Sequence, residues 1–406
     1  MHMKQVIVLG GGAAGLMAAI HAARAGAAVT ILEHNEKPGR KLLATGNGKC
    51  NLTNTLQHPG FYHSSQKDFP WTVISQFPLP QTLSFFTELG IYTKNKKGGL
   101  YPHSEQAISV LEALRLEALH QKVKIKLKEE VLEVLPQSDG FQVKTAGWSY
   151  FGDAVICCLG SAASSVAGSS TSGYEIARSL GHSLVEPVPA LVGLRCRGGY
   201  FSIWSGVRVE GTVRVLVKGD VLAEESGELQ LTEYGISGIP VFQVSGQVLR
   251  LIQRGEKVSL DIDFFPDMKE KEFLSFLRSR QISCPYKNLE QLLLGFFPEK
   301  LIRALLKSKP DMEEAVARLK NWELLVFGAS SLAQAQVSSG GVDPRQINPF
   351  TMESRLVPGL YFAGEVVDVD GACGGYNLQW AWSSGALAGK SSAGTVNKND
   401  AKESNQ

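Results

Sequence analysis

Gln5-Val-Ile-Val-Leu9, then Gly10-Gly11-Gly12-Ala13-Ala14-Gly15, then Leu16-Met-Ala-Ala-Ile20 is the stretch that decides the fold of this chain. The apolar run Gln5–Leu9 reads as a buried strand, the glycines turn the backbone, and an alanine-rich helix follows to about Ala25. A second strand over Val29–Leu32 completes a βαβ unit. The turn therefore satisfies G-x-G-x-x-G between a strand and a helix, the context that gives the pattern its meaning. Gly10 permits the tight turn, Gly12 leaves room for a pyrophosphate, and Gly15 lets the helix lie close to the strand. N–H groups at the helix start, around Ala13 and Ala14, supply an anion site. Glu33 closes the second strand, where its carboxylate can accept from adenosine ribose hydroxyls and would repel the 2′-phosphate of NADP. The plain alternative is a glycine-rich turn with no ligand.

Working outward, 406 residues at about 150 per domain predict two or three domains. Apolar residues make up 44% and charged residues 20%, which excludes a wholly disordered chain. Lys and Arg exceed Asp and Glu by only 41 to 39, so a broad basic surface for nucleic acid is not expected. The six cysteines form no C-x-x-C pair and no metal-ligand cluster, and no metal is expected. No secretory signal and no apolar run of about 18 residues is seen, so the reading is a soluble, cytoplasmic protein with reduced thiols.

Farther along, Ser104 is read as the N-cap of a helix to about Gln121, followed by strand-like runs near 123–135, 141–145 and 153–159. From Leu191 to Asp263 the pattern is short alternating stretches with turns at Lys218-Gly219-Asp220 and Ser226-Gly227-Glu228, which predicts a small barrel. Helical spacing takes over from Asp267 to Trp322, and glycine-dense sequence returns from Gly340 to Gly389. An NAD-only dehydrogenase would continue with contiguous βα units; the interruption and the second glycine cluster favour FAD. The fold class is thus α/β: a discontinuous Rossmann-like FAD-binding domain (1–190 and 338–390) with an inserted β-barrel (191–263 and 323–337) and a small helical subdomain (264–322). The tail 391–406 is polar enough to be disordered.

Two further segments carry candidate cofactor contacts. After the second strand come Arg40 and Lys41, then the loop residues Asn47, Gly48, Lys49, Cys50 and Asn51, a set of small, amide and cationic groups suited to pyrophosphate and flavin edges. Near the other end, Gly364 and Glu365 end a strand where the acid can bond ribityl hydroxyls. Gly375, Tyr376, Asn377 and Leu378 open a helix whose N–H groups can face flavin N1 and O2. Val131, in the run near 123–135, and Gly160, at the end of the Asp153–Gly160 strand, join this set. The catalytic group is not fixed by the sequence; candidates are Lys49, His103 and Tyr376. Each has an ordinary alternative: a solvated lysine, a surface histidine, a core aromatic. Cys50 is read as a packed loop residue, because a thiol redox site needs a second cysteine. Asp368-Val-Asp370-Gly371 starts like a calcium loop but lacks the later ligands.

With these motifs in place, the sequence resembles the HI0933-like flavoprotein family over nearly its whole length. The most specific portions are Lys41 through Asn54, Thr351–Ser354, Gly364-Glu-Val-Val-Asp368 and Gly374-Gly-Tyr-Asn-Leu-Gln-Trp380, with Gly227-Glu228 and Tyr234–Gly238 in support. One stretch departs from the family pattern: Gly168-Ser-Ser-Thr-Ser-Gly-Tyr174 carries Ser172 where the family has Asp, so this chain lacks that acid. The resemblance implies an FAD-dependent oxidoreductase, reducing an enone-like or steroid-like small molecule with NADH or NADPH as a transient co-substrate. Aminoacetone-type amine oxidation with oxygen is the other activity it implies. A flavin-bound or RNA-associated protein without turnover is a rival of another class. Oligomeric state is left open.

Overall fold

The structure is a computed structural model describing residues 3–166 and 169–394. Two compact units are present: Met1–Pro187 with Val337–Gln406, and Val188–Gln336. The discontinuous α/β architecture with an inserted barrel and helices is as the sequence predicts.

The first unit is built on a five-stranded parallel sheet in the order Leu360–Phe362, Ala154–Cys157, Gln5–Leu9, Ala28–Glu33, Lys124–Leu127. The N-terminal strand sits at its centre, and Ala154–Cys157 is wholly buried beside it, as a parallel strand covered on both faces requires. Strand-like residues 123–135 divide between two sheets: Val131–Gln137 pairs instead with Gly140–Thr145 in an antiparallel meander. The first helix, Ala13–Arg24, runs parallel to the C-terminal helix, Tyr376–Ser392. Gly385 and Gly389 make their contact, because a Cβ there would lie 2.6 Å from the Ala14 carbonyl oxygen and 2.2 Å from that of Ala18. Small residues spaced by four thus let two backbones meet.

In the second unit six strands close a barrel in the order Leu194–Arg197, Gly235–Gly238, Asp220–Thr232, Arg208–Val217, Val258–Asp263, Trp322–Ala329. Lys218 and Gly219 both take positive φ, +55° and +93°, as a two-residue hairpin turn demands. Four helices between Glu270 and Lys320 precede the last strand, around a cluster that includes Phe273, Phe297 and Leu301. A buried ion pair of Lys320 with Asp263, 2.7 Å, ties them to the barrel.

Four expectations are corrected. Ser104 does not cap the helix, which runs Ala107–His120 from Gln106; Glu105, at φ +53°, breaks the backbone between them. Ser226-Gly227-Glu228 is not a turn but the middle of a 13-residue strand. The β-rich segment holds a 15-residue helix, Ile239–Gln253, whose buried Val241, Val244, Val248 and Leu249 follow helical spacing behind Pro240. Ser391 and Ser392 are helical and buried rather than part of a tail; 395–406 lie outside the described residues.

Candidate cofactor and active site

The first helix starts at the glycine turn with no side-chain cap and no acid in its first turn. Its initial N–H groups therefore have no side-chain acceptor of their own. The glycines divide by what surrounds them. Gly10 (φ +93°) and Gly15 are required by packing, since a Cβ would lie 2.7 Å from the Cys158 carbonyl oxygen and 1.9 Å from that of Gly10. At Gly12 a Cβ would meet no protein atom within 4 Å, and the same holds at Gly160 (φ +70°). Ala14 packs beneath Gly364, whose own Cβ would come 2.7 Å from that of Ala14.

Glu33 sits buried at the end of its strand, accepting from Gly11 N at 2.8 Å and from Asn35 N and Nδ2 at 2.9 and 2.8 Å. Arg40 reaches Asn35 Oδ1 at 3.0 Å. Val131 is buried at the start of its strand, close after the bond from Glu129 N to the Glu33 carbonyl at 3.0 Å.

Gly46, Asn47, Gly48 and Cys50 all take positive φ, between +54° and +81°, so the loop after Thr45 coils tightly. Two of these are not glycine, a strain that the surrounding contacts must hold. The Cys50 thiol is buried and pushed up to about 12 by desolvation. Downstream, Trp382 Nε1 donates to the Leu52 carbonyl at 2.9 Å, and Thr53 Oγ1 donates to the wholly buried Gln379 at 2.7 Å. These bonds fix the start of the C-terminal helix against the loop.

That helix also begins at a left-handed glycine, Gly375 at φ +100°, without a side-chain cap or a first-turn acid. Asn377 closes on both backbone groups of Gly371, at 2.8 and 2.7 Å. Tyr376 is buried, stacks on Phe61 at 4.7 Å and donates to the Leu56 carbonyl at 3.0 Å. Burial raises its phenol's pKa, and both its ring and its hydroxyl are engaged in packing. Leu378 is half-buried against the same core. Gly385 matches Ala14 across the helix pair, so the C-terminal helix begins eight residues earlier, its start lying about 12 Å beyond that of the first helix at 1.5 Å per residue.

Glu365 joins the two ends of the unit. Its carboxylate meets Lys41 Nζ at 2.5 Å, Ser161 Oγ at 2.7 Å and Ser338 N at 3.0 Å. Beside it, the buried Tyr174 OH faces the hydroxyls of Ser338 and Ser161 without a well-formed hydrogen bond, and Asn51 Oδ1 in the loop is buried without a partner. Orphaned polar atoms of this kind mark a place where another polar group belongs. Lys49 and His103 stand apart: Lys49 reaches Glu105 at 3.7 Å on an exposed turn, and His103 is exposed, its ring leaning on Tyr92 at 5.8 Å. Glu105 itself is held at about 2 by Lys94 and Lys96.

The sequence reading missed Ser161, Tyr174 and Ser338, whose hydroxyls carry no motif, and the pair His63 and Asp370, 3.3 Å apart. Asp368, which the sequence offers as the start of a calcium-like loop and the end of a family motif, accepts from Ser65 N at 2.8 Å. Among the described residues no group of three or more His, Cys, Asp or Glu is placed to hold a metal ion, and no helix is long and apolar enough to cross a membrane. Gly168 of the divergent stretch lies outside the described residues, and Ser172 opens a short helix, 2.8 Å from Ser170.

The sheet, the open Gly12 and the two uncapped helix starts define a Rossmann-type dinucleotide-binding protein. The chain belongs to the HI0933-like family: the family described as HI0933-like protein Rossmann domain matches residues 4–391. As a member of this family, it is an FAD-dependent oxidoreductase. It is similar to a 3-dehydro-bile acid delta(4,6)-reductase of Clostridium scindens, 42% identical with 96% of this chain and 99% of that protein covered. It is also similar to a ribosomal RNA dihydrouridine synthase of Escherichia coli, at 31% over 95% and 96%. Among solved structures, a 3-ketosteroid delta1-dehydrogenase from Sterolibacterium denitrificans shares the fold at 13% identity, with TM-score 0.53, 98% of this chain and 100% of that one covered.

Proposed function

We propose that the protein reduces a carbon–carbon double bond conjugated to a carbonyl in a steroid-like small molecule, with electrons reaching a bound FAD from NADH or NADPH. The observation that carries this reading is the site's two-ended cradle, coupled to what its relatives do. A 3-oxo group conjugated with 4,6 double bonds, and the uracil double bond saturated in dihydrouridine, are the same kind of reaction centre. The higher identity of the bile-acid reductase and the charge excess of two favour a small molecule over RNA.

The residues present fit FAD. The N–H groups after Gly12 would hold its pyrophosphate, with Gly10, Ala13, Ala14, Gly15 and Gly160 shaping the approach. Glu33, Arg40 and Val131 would border the adenosine end. Lys41, Glu365 and the buried hydroxyls of Tyr174 and Ser338 would meet the ribityl chain, and Asn47–Asn51 the flavin edge. The start of the C-terminal helix, Gly375 to Leu378, would place N–H groups where negative charge gathers on reduction. When bound, FAD supplies the two-electron chemistry; the protein supplies position, charge and exclusion of water. Nicotinamide would bind transiently.

The test is product analysis. Anaerobic incubation of the flavin-loaded protein with NADH or NADPH and a 3-keto-4-ene steroid should yield a product two mass units heavier with its ketone retained. Unchanged steroid, alongside reduction of uridine in ribosomal RNA fragments, would overturn the small-molecule reading.

A further inference from the structure

Strand Tyr62–His63 pairs antiparallel with Asp370–Gly371, which places His63 directly beside Asp370. His63 Nδ1 lies 3.3 Å from Asp370 Oδ2, and the Ser339 hydroxyl donates to the other oxygen of the same carboxylate. The carboxylate is buried, whereas the imidazole is half exposed. The pair stands at the start of the C-terminal helix: Gly371 is gripped by Asn377, Ala372 N donates to the Phe61 carbonyl at 2.8 Å, and Tyr62 meets the Tyr376 ring edge-on. An oriented histidine with a buried carboxylate behind it is the arrangement proton transfer requires. Neither Lys49 nor His103 has such support.

We propose that His63 is the proton donor to the substrate carbon, with Asp370 and Ser339 as positioning residues. The inference rests on the reductase reading. Saturating a conjugated double bond takes two electrons with one hydrogen from the reduced flavin at the β-carbon, and one proton at the α-carbon. An imidazolium N–H bond breaks, the α-carbon–hydrogen bond forms using the former π pair, and the ring is left neutral until solvent re-protonates it. Asp370, itself held by Ser339, fixes the direction of the ring.

The experiment compares wild type, His63→Asn and Asp370→Asn as flavin-loaded proteins, reduced with dithionite and mixed anaerobically with a 3-keto-4-ene steroid. The expected result for His63→Asn is reoxidation slowed about 10²–10⁴-fold, partly restored by added imidazole. In ¹⁵N-histidine spectra, measured without any steroid, a hydrogen-bonded Nδ1–H of His63 should disappear in Asp370→Asn. Equal reoxidation rates in wild type and His63→Asn would overturn the proposal while leaving the reductase reading intact. If wild-type flavin is not reoxidised by the steroid at all, the reductase reading falls and the proton-donor role with it. A His63 signal identical in wild type and Asp370→Asn would overturn the positioning role.

Discussion

Lys41 Nζ and Glu365 Oε2 lie 2.5 Å apart, joining the segment after the second strand to the end of strand Leu360–Phe362 across 324 residues of sequence. Glu365 also accepts from Ser161 and Ser338, so its charge is spread over three donors. Lys41 is about a third exposed, and solvent screens part of the attraction. Lys41→Met should cost about 1 kcal/mol of stability. Thermal melts would show it, with a larger deficit in the flavin-loaded protein than in the apoprotein. An unchanged melting temperature in both forms would contradict the placement.

Gly12 and Gly389 make opposite predictions. A Cβ at Gly12 meets no protein atom within 4 Å, so Gly12→Val should fold with normal far-UV circular dichroism and melt as the wild-type apoprotein does, yet purify without yellow colour. At Gly389 a Cβ would strike the Ala18 carbonyl oxygen, so Gly389→Ala should lose about 1–3 kcal/mol through overpacking between the helices. A yellow Gly12→Val protein would remove the pyrophosphate assignment.

His21 is buried against Phe77 and Phe85, and desolvation lowers its pKa to about 3 from the ordinary 6.5. Its ring therefore stays neutral in the native state while the unfolded chain takes up a proton below 6.5. Stability is full above that pH and falls as pH drops toward 3, by about 1.4 kcal/mol per unit. Urea titrations at pH 7 and pH 5 should differ by about 2 kcal/mol more in wild type than in His21→Gln. An equal difference in the two proteins would refute the burial argument.

The buried Cys50 thiol, held near 12, is almost entirely protonated at neutral pH, and Cys157 is raised to about 12 by the same desolvation. Mass spectrometry after iodoacetamide treatment at pH 7.5 should find neither labelled in the native protein and both labelled in urea. Rapid native labelling of Cys50 would revive thiol redox chemistry.

Much of this was legible in the sequence because it is local. The βαβ unit, the hairpin at Lys218-Gly219 and the glycine-started C-terminal helix are each specified by residues within a few positions of one another. The helix Ile239–Gln253 escaped because its valines suit either structure; its helical spacing of buried positions was the available signal. Ser104 looked like a cap until Glu105, in a left-handed conformation, turned the chain away. At the site, Gly12 and Glu33 could be read from one motif, whereas His63 with Asp370, or Ser161 with Glu365, join positions 307 and 204 apart and acquire meaning only through strand pairing and packing. Single-residue chemistry pointed instead to Lys49, His103 and Tyr376, which the fold engages with a surface acid, an aromatic ring and a backbone carbonyl.

Stopped-flow absorbance near 450 nm tests the central claim most directly: the protein reduced with one equivalent of dithionite is mixed anaerobically with a 3-keto-4-ene steroid. The oxidised flavin band should return in a single turnover, with one equivalent of steroid consumed per flavin. A band that stays bleached with the steroid and returns only on admitting oxygen would contradict the account.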